Sequence, residues 1–182
     1  PCANCQDTVI VGNGTTGTYS IPLNTFYKYS FSEQIYTADE LSDISGRINC
    51  ISFQYIYSSN QTKDIVVYMG NTSKSAFANS SDWIPVRQMT PVYQGAVTFS
   101  NSGEDNWVNI PFDVPFEYEG GSNIVVTVLN LTGAYTSSTN NTFNVHTASG
   151  KTLYMQNDSS PYDVNALSSG STSSNRNNIR FL

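Results

Sequence analysis

The sequence predicts an all-β fold, a jelly-roll-like antiparallel β-sandwich of about ten strands. Three observations predict it. Short runs of alternating apolar and polar residues recur along the chain, separated by Gly, Asn, Asp and Ser turns. No stretch shows the 3.6-residue period of an amphipathic helix over more than one turn. Only 12% of the 182 residues are charged, whereas 13% are aromatic, with 12 Tyr and 9 Phe. A surface with so few charges is built from Ser, Thr, Asn and Gln, which favour strands and turns over helix interiors.

The two stretches that organise the chain are residues 26–41 and 47–57. In the first, Tyr27, Tyr29 and Phe31 fall on one side of an extended strand and Lys28, Ser30 and Ser32 on the other. In the second, Ile51, Phe53, Tyr55 and Tyr57 share a face. Residues 42–46 supply the turn between them, and Asp39, Glu40 and Leu41 fit one helical turn. Before this pair, residues 8–12 read as a strand, Gly12-Asn13-Gly14 as a turn, and residues 18–23 as an extended run that Pro22 keeps out of a sheet centre.

After it, residues 64–69 form a nearly continuous apolar run of the kind found inside a sheet. A long polar connection occupies residues 70–83. Residues 92–99 alternate again, and residues 107–112 follow, with Pro111 and Pro115 marking a departure from the sheet. Residues 123–131, NIVVTVLNL, are the strongest strand. Residues 133–141 are a polar loop carrying Tyr135. Short strands at 142–147 and 151–156 suggest a hairpin through Ser149-Gly150, and residues 158–176 read as an irregular Ser/Gly-rich excursion. Residues 178–182 are a final strand placed to pair near the first. The length fits one domain over residues 1–182. The abrupt opening at Pro1-Cys2 suggests one module of a larger extracellular protein.

Net charge is −6 and the pI about 4.5. The eight Lys and Arg are scattered, which argues against a nucleic-acid partner. No apolar run approaches membrane-spanning length. Cys2 and Cys5 form a CxxC and Cys50 sits inside a strand. A redox CxxC opens a helix, and zinc needs more ligands than the one histidine, His146, adds. A Cys2–Cys5 disulfide and a Cys50 that behaves as a small buried apolar residue both fit the pattern. Asn-x-Ser/Thr sequons begin at Asn13, Asn60, Asn71, Asn79, Asn130, Asn140 and Asn157, a density that an Asn-, Ser- and Thr-rich chain reaches by chance.

Catalytic chemistry has little to draw on. Asp39/Glu40 and Glu104/Asp105 are adjacent pairs that point to opposite faces of a strand, and Glu117 and Glu119 flank a Gly-Gly turn. His146 has no serine elbow to serve. The expectation is therefore a non-enzyme. Asp43, Asp64, Asp82, Asp105, Asp113, Asp158 and Asp163 lie in or beside oxygen-rich loops, so a structural calcium is a candidate cofactor. Trp83, Tyr135 and Tyr162 fall in loops and are the candidate ligand-binding residues, since sugar rings stack on exposed aromatics. The competing account is that such rings pin their loops to the core.

The combination of Tyr27-Lys28-Tyr29-Ser30, Gln34-Ile35-Tyr36, IVVYMGNTSK at 65–74, Asp82-Trp83-Ile84-Pro85, WVNIPFDVPF at 107–116 and Asn178-Ile179-Arg180 resembles a repeated, adhesin-like domain of Bacteroidota surface and secreted proteins, found beside fibronectin type III modules. The resemblance spans nearly the whole chain. It implies a secreted or cell-surface, non-catalytic module for adhesion or carbohydrate binding, with a glycan or a cell-surface glycoprotein as partner. It supplies no catalytic residue. A structural spacer, or a self-associating fibre, stalk or phage-decoration subunit, is the alternative.

Overall fold

The computed structural model describes residues 8–42, 44, 46–140 and 142–182. Cys2, Cys5 and Asp43 therefore lie outside the described residues. The architecture is the antiparallel all-β sandwich that the sequence predicts, with eleven strands among the described residues. They are β1 (Val9–Val11), β2 (Thr16–Thr18), β3 (Tyr29–Tyr36), β4 (Gly46–Gln54), β5 (Gln61–Thr72), β6 (Thr90–Phe99), β7 (Trp107–Tyr118), β8 (Asn123–Asn130), β9 (Phe143–Asn157), β10 (Ser171–Asn177) and β11 (Ile179–Phe181). The small sheet has the order β1-β11-β4-β7. The large sheet runs β10-β9-β3-β8-β5-β6, with β2 added against β9. No helix among the described residues is long and apolar enough to cross a membrane.

The core lies between the sheets. Phe53, Tyr55, Phe99, Phe143 and Phe181 are fully buried there with Ile51, Val67, Val126 and Ile179. The Tyr55, Phe99 and Phe143 rings meet at 5.2–5.9 Å, within the range of favourable aromatic contacts. The organising pair therefore forms as read, but its two strands belong to opposite sheets, joined by a 3-10 turn at Ala38–Leu41.

The face assignment of β3 reverses the expectation of a half-buried strand. Phe31 pairs beside Leu129, and both point away from the core. Ser32, Gln34 and Tyr36 sit opposite Val128, Val126 and Ile124 and point into it. Both faces of β3 are buried because two long segments, residues 73–89 and 158–170, cross the outer face of the large sheet. These segments are bonded to each other: Gly170 N–H donates to the Ser80 carbonyl at 2.8 Å, and the Ser80 and Ser169 hydroxyls meet at 2.8 Å.

Two further expectations change. Residues 142–147 and 151–156 are not a hairpin but one continuous strand, β9. Gly150, at φ +75°, bends the strand without reversing it. The excursion at 158–176 ends in a strand, β10, that pairs with β9. The last strand, β11, pairs with β1 as expected, Val9 opposite Phe181, and also with β4.

Between β10 and β11 the chain crosses from the large sheet to the small one, carrying polar side chains through the interior. Asn177 is fully buried, and each of its polar groups is bonded. Its N–H donates to Gln34 Oε1 at 2.8 Å, Gln34 Nε2 donates back to Asn177 Oδ1 at 2.8 Å, and Tyr36 Oη donates to its carbonyl at 2.8 Å. Arg176, 2% exposed, lies over the Tyr36 ring at 4.4 Å and grips Glu40 through both Nη atoms, at 2.5 and 2.9 Å. His146 Nε2 faces the same guanidinium at 3.0 Å, and its Nδ1 bonds Asn178 Oδ1 at 2.9 Å. The imidazole is thus neutral with the proton on Nδ1, and the lone histidine is structural here.

Burial alone would raise the Glu40 pKa, but the Arg176 and Thr37 hydrogen bonds outweigh it and hold the carboxyl at about 2. Burial, aided by the Arg176 charge, lowers the His146 pKa from 6.5. Both groups bind protons less readily in the folded protein, so both contributions are full at neutral pH. The His146 contribution declines as pH falls below 6.5, and the Glu40 contribution as it falls from 4.5 towards 2. Urea denaturation as a function of pH should therefore show stability dropping on acidification, and Glu40→Gln should flatten the segment below 4.5. Arg176→Ala, which strands the buried partners, should cost about 3–5 kcal/mol by the same assay.

Candidate functional site

The three candidate ligand-binding aromatics do not form one site. Trp83 and Tyr162 come together on the outer face of the large sheet, in an apolar cluster with Phe31, Val86, Leu129 and Met155. Trp83 packs edge-on against Phe31 at 5.2 Å, and its indole N–H donates to the Ser168 carbonyl at 2.8 Å. Gly170 passes so close that a Cβ there would meet the ring at 2.6 Å. The rim of Trp83 still lines a surface hollow of about 190 Å³ with Ser81, Arg87 and Asn165. Tyr162 is half-buried, and burial raises its phenol pKa. Both rings tie the crossing segments to the sheet.

Tyr135 is placed differently. Its side chain is 57% exposed, the most exposed large apolar residue among those described. The loop that carries it is bonded to the turn before β3: Thr136 N–H donates to the Thr25 carbonyl at 2.9 Å and Gly133 N–H to the Lys28 carbonyl at 3.0 Å. That turn presents a run of aromatic rings. Tyr19 meets Phe26 edge-on at 6.3 Å, and Phe26 meets Tyr27 at 5.8 Å. Sequence reasoning assigned Tyr19, Phe26 and Tyr27 to extended strand, so their clustering in the turn to which the Tyr135 loop is bonded was missed. The structural reason is that residues 19–28 form turns rather than strand, which gathers the rings.

The described aspartates are spread over the molecule, and Asp82, Asp113, Asp158 and Asp163 are each engaged locally. Asp82 pairs with Lys74 at 2.5 Å and accepts the Ala78 N–H at 2.8 Å. Asp113 accepts Gln94 N–H, Asp158 accepts Lys28 N–H, and Asp163 accepts Asn165 N–H. Among the described residues no three His, Cys, Asp or Glu side chains gather into a metal-binding group. Cys50 is fully buried in β4. Glu117 pairs with Arg47 at 2.6 Å, and together with Glu119 they line an open cleft of about 550 Å³ between the sheets.

A buried carboxyl group stands outside these contacts. Glu33 lies on the outer face of β3, fully covered by the 73–89 segment, where its Oε1 accepts the Ile84 N–H at 2.7 Å. Its Oε2 has no partner among the described residues. Burial pushes its pKa up to about 8, against opposing effects of the Ile84 bond and of Lys74. The side chain is thus a neutral acid at pH 7, positioned as a pin for the overlying segment rather than as a base.

No family model, curated protein or solved structure matches the chain.

Two measurements check these assignments. The unfolded chain ionises Glu33 from 4.5 upward while the folded chain keeps its proton until about 8, so stability falls as pH rises through that window. Glu33→Gln should remove a slope of up to about 1.4 kcal/mol per pH unit in equilibrium unfolding between those values. Trp83→Ala should lower stability by about 2 kcal/mol by deleting a ring packed on Phe31, and tryptic cleavage should then begin within residues 73–89.

Proposed function

We propose that this protein is a non-catalytic, secreted or surface-displayed module that binds glycans, using the aromatic end formed by Tyr135, Tyr19, Phe26 and Tyr27. The observation that carries the reading is the exposed Tyr135 ring beside the aromatic turn. Contiguous exposed apolar surface marks interaction sites, and Tyr135 and Tyr19 are exposed here while Phe26 and Tyr27 are half-buried. The C–H face of a sugar ring packs on such rings, while nearby hydroxyl and amide groups take up its hydroxyls. Ser137, Ser138 and Asn140 in the same loop supply polar groups of this type. The low charge content and the resemblance of the sequence to adhesin-like domains support an extracellular setting.

A self-associating or spacer role is the second reading. It is favoured by β10, an edge strand that among the described residues pairs only with β9 and holds no Pro or Lys along Ser171–Asn177 to block further pairing.

A glycan array probed with the purified protein, with and without calcium, tests the first reading, and size-exclusion chromatography tests the second. Discrete hits that Tyr135→Ala reduces about tenfold, with an unchanged melting temperature, are the expected result; a single stacked ring contributes about 1 kcal/mol or more. An array without hits, alongside a high-mass species, sinks the glycan reading in favour of self-assembly.

A further inference from the structure

A third hollow, sharing no residue with the aromatic end, has the chemistry of a ligand pocket. It encloses about 360 Å³ where the 12–15 turn, Gln54 at the end of β4, the 105–107 turn and Asn144 of β9 converge. That volume is the scale of a small-ligand site. Its lining is rich in neutral amides: Asn13, Gln54, Asn106 and Asn144 surround it with Asp105 and Trp107. The apolar contribution comes from Ile10, which is 54% exposed, and from the small exposed part of Trp107, which is 9% exposed and has the Arg180 guanidinium over its ring at 5.1 Å.

The floor of the pocket is fixed. Gln54 Oε1 accepts from Asn178 Nδ2 at 2.8 Å and from Asn144 Nδ2 at 3.3 Å, while its Nε2 donates to the Asp105 carbonyl at 3.1 Å. Asn178 Nδ2 also donates to the Gly14 carbonyl at 2.7 Å and so holds the 12–15 turn. Asn178 in turn is bonded to His146, which faces the buried Arg176. Gly12 lies at φ +88°, and a Cβ there would meet the His146 ring at 1.9 Å. The turn can therefore rest directly on β9 only because this residue is glycine.

The rim is shaped at a cost. Asp105 and Asn106 are consecutive non-glycine residues in the left-handed region, at φ 51° and 63°. No other non-glycine residue described has positive φ. Each such residue costs on the order of 1 kcal/mol relative to an ordinary conformation. The side chains of Asn13, Asn106 and Asp105 make no hydrogen bond to any described residue, so they are available. A rigid floor with uncommitted amides above it is a preorganised recognition surface.

We propose that this pocket binds a neutral, hydroxyl-rich ligand, the terminal residue of a saccharide, with Asn13, Asn106, Asn144 and Asp105 taking its hydroxyls and the exposed Ile10 side chain meeting its C–H face. Amides both donate and accept, which matches vicinal hydroxyls. A divalent cation fits less well, because Asp105 is the one carboxylate in the lining. The ligand class rests on the glycan reading above, but the site is separate from the aromatic end.

The test is a heteronuclear NMR titration of the intact ¹⁵N-labelled protein, following the side-chain amides of Asn13, Asn106 and Asn144 and the Trp107 indole N–H. Glucose, galactose, mannose, N-acetylglucosamine and calcium chloride are added separately. At least one sugar should shift these signals saturably, still do so in Tyr135→Ala, and bind about fivefold more weakly to Asn106→Gly. Glycine accepts the left-handed conformation, so that variant keeps the turn while removing the amide. Signals moved by calcium and by no sugar overturn the proposal, as does unchanged affinity in Asn106→Gly. Shifts confined to the Tyr135 loop overturn the pocket and leave the aromatic-end reading standing. Silence at both places overturns both.

Discussion

The packing of the two sheets depends on satisfying the polar backbone and side chains where the chain crosses between them at Arg176-Asn177-Asn178. A strand that leaves one sheet for the other must take amide groups through an apolar interior, and each unpaired group there costs about 1–3 kcal/mol. Here Gln34 and Tyr36 of β3 meet Asn177, while Glu40 and His146 meet Arg176. The inward-facing polar side chains of β3 have their explanation in that crossing. A well-bonded polar core of this kind gives one register and penalises others, because a shifted strand would leave several of these groups unpaired at once.

A second constraint follows from the large sheet being apolar on both faces. Phe31, Ile35, Val125, Leu129 and Leu153 point away from the sandwich core and need cover. With no α-helix among the described residues to provide it, two loop segments do, and they carry their own anchors: Trp83, Ile84 and Phe77 from one, Tyr162, Val164 and Leu167 from the other. Long polar loops of this length are often functional. In this molecule much of their length acts as a third layer over the large sheet.

The fold class was legible because alternation in residues such as Ile51, Phe53 and Tyr55 is a local property. What was not legible depends on distant partners. Ser171–Asn177 has no apolar pattern, and it becomes a strand because β9 pairs with it and because Arg176 and Asn177 find partners 136 to 143 residues away in sequence. Ser149-Gly150 has the composition of a hairpin turn, and only the pairing of both halves of β9 with β10 shows it to be a bend. Phe31 announced an aromatic face but not which face, since a strand covered on both sides gives no sign of its orientation. The sequence placed Trp83, Tyr135 and Tyr162 in loops, as the structure does. Their division into buried anchors, Trp83 and Tyr162, and an exposed ring, Tyr135, depends on what packs over them. Gln54 and Asn178, 124 residues apart in sequence, gave no signal of a shared pocket.

The pairing of β1 with β11 has a mechanical consequence. The strands are antiparallel, with Val9 opposite Phe181 and Val11 opposite Ile179, so residues 8 and 182 lie at the same end of the pair, Leu182 still bonded to Cys50 of β4. A tension that draws those two points apart acts across the ladder rather than along it. It opens the Val9–Phe181 pair, then Ile10–Arg180, then Val11–Ile179, loading one pair at a time instead of sharing the force among all three. A protein held in this way under flow would yield first by peeling β1 from β11, leaving the β4–β7 pair and the whole large sheet intact.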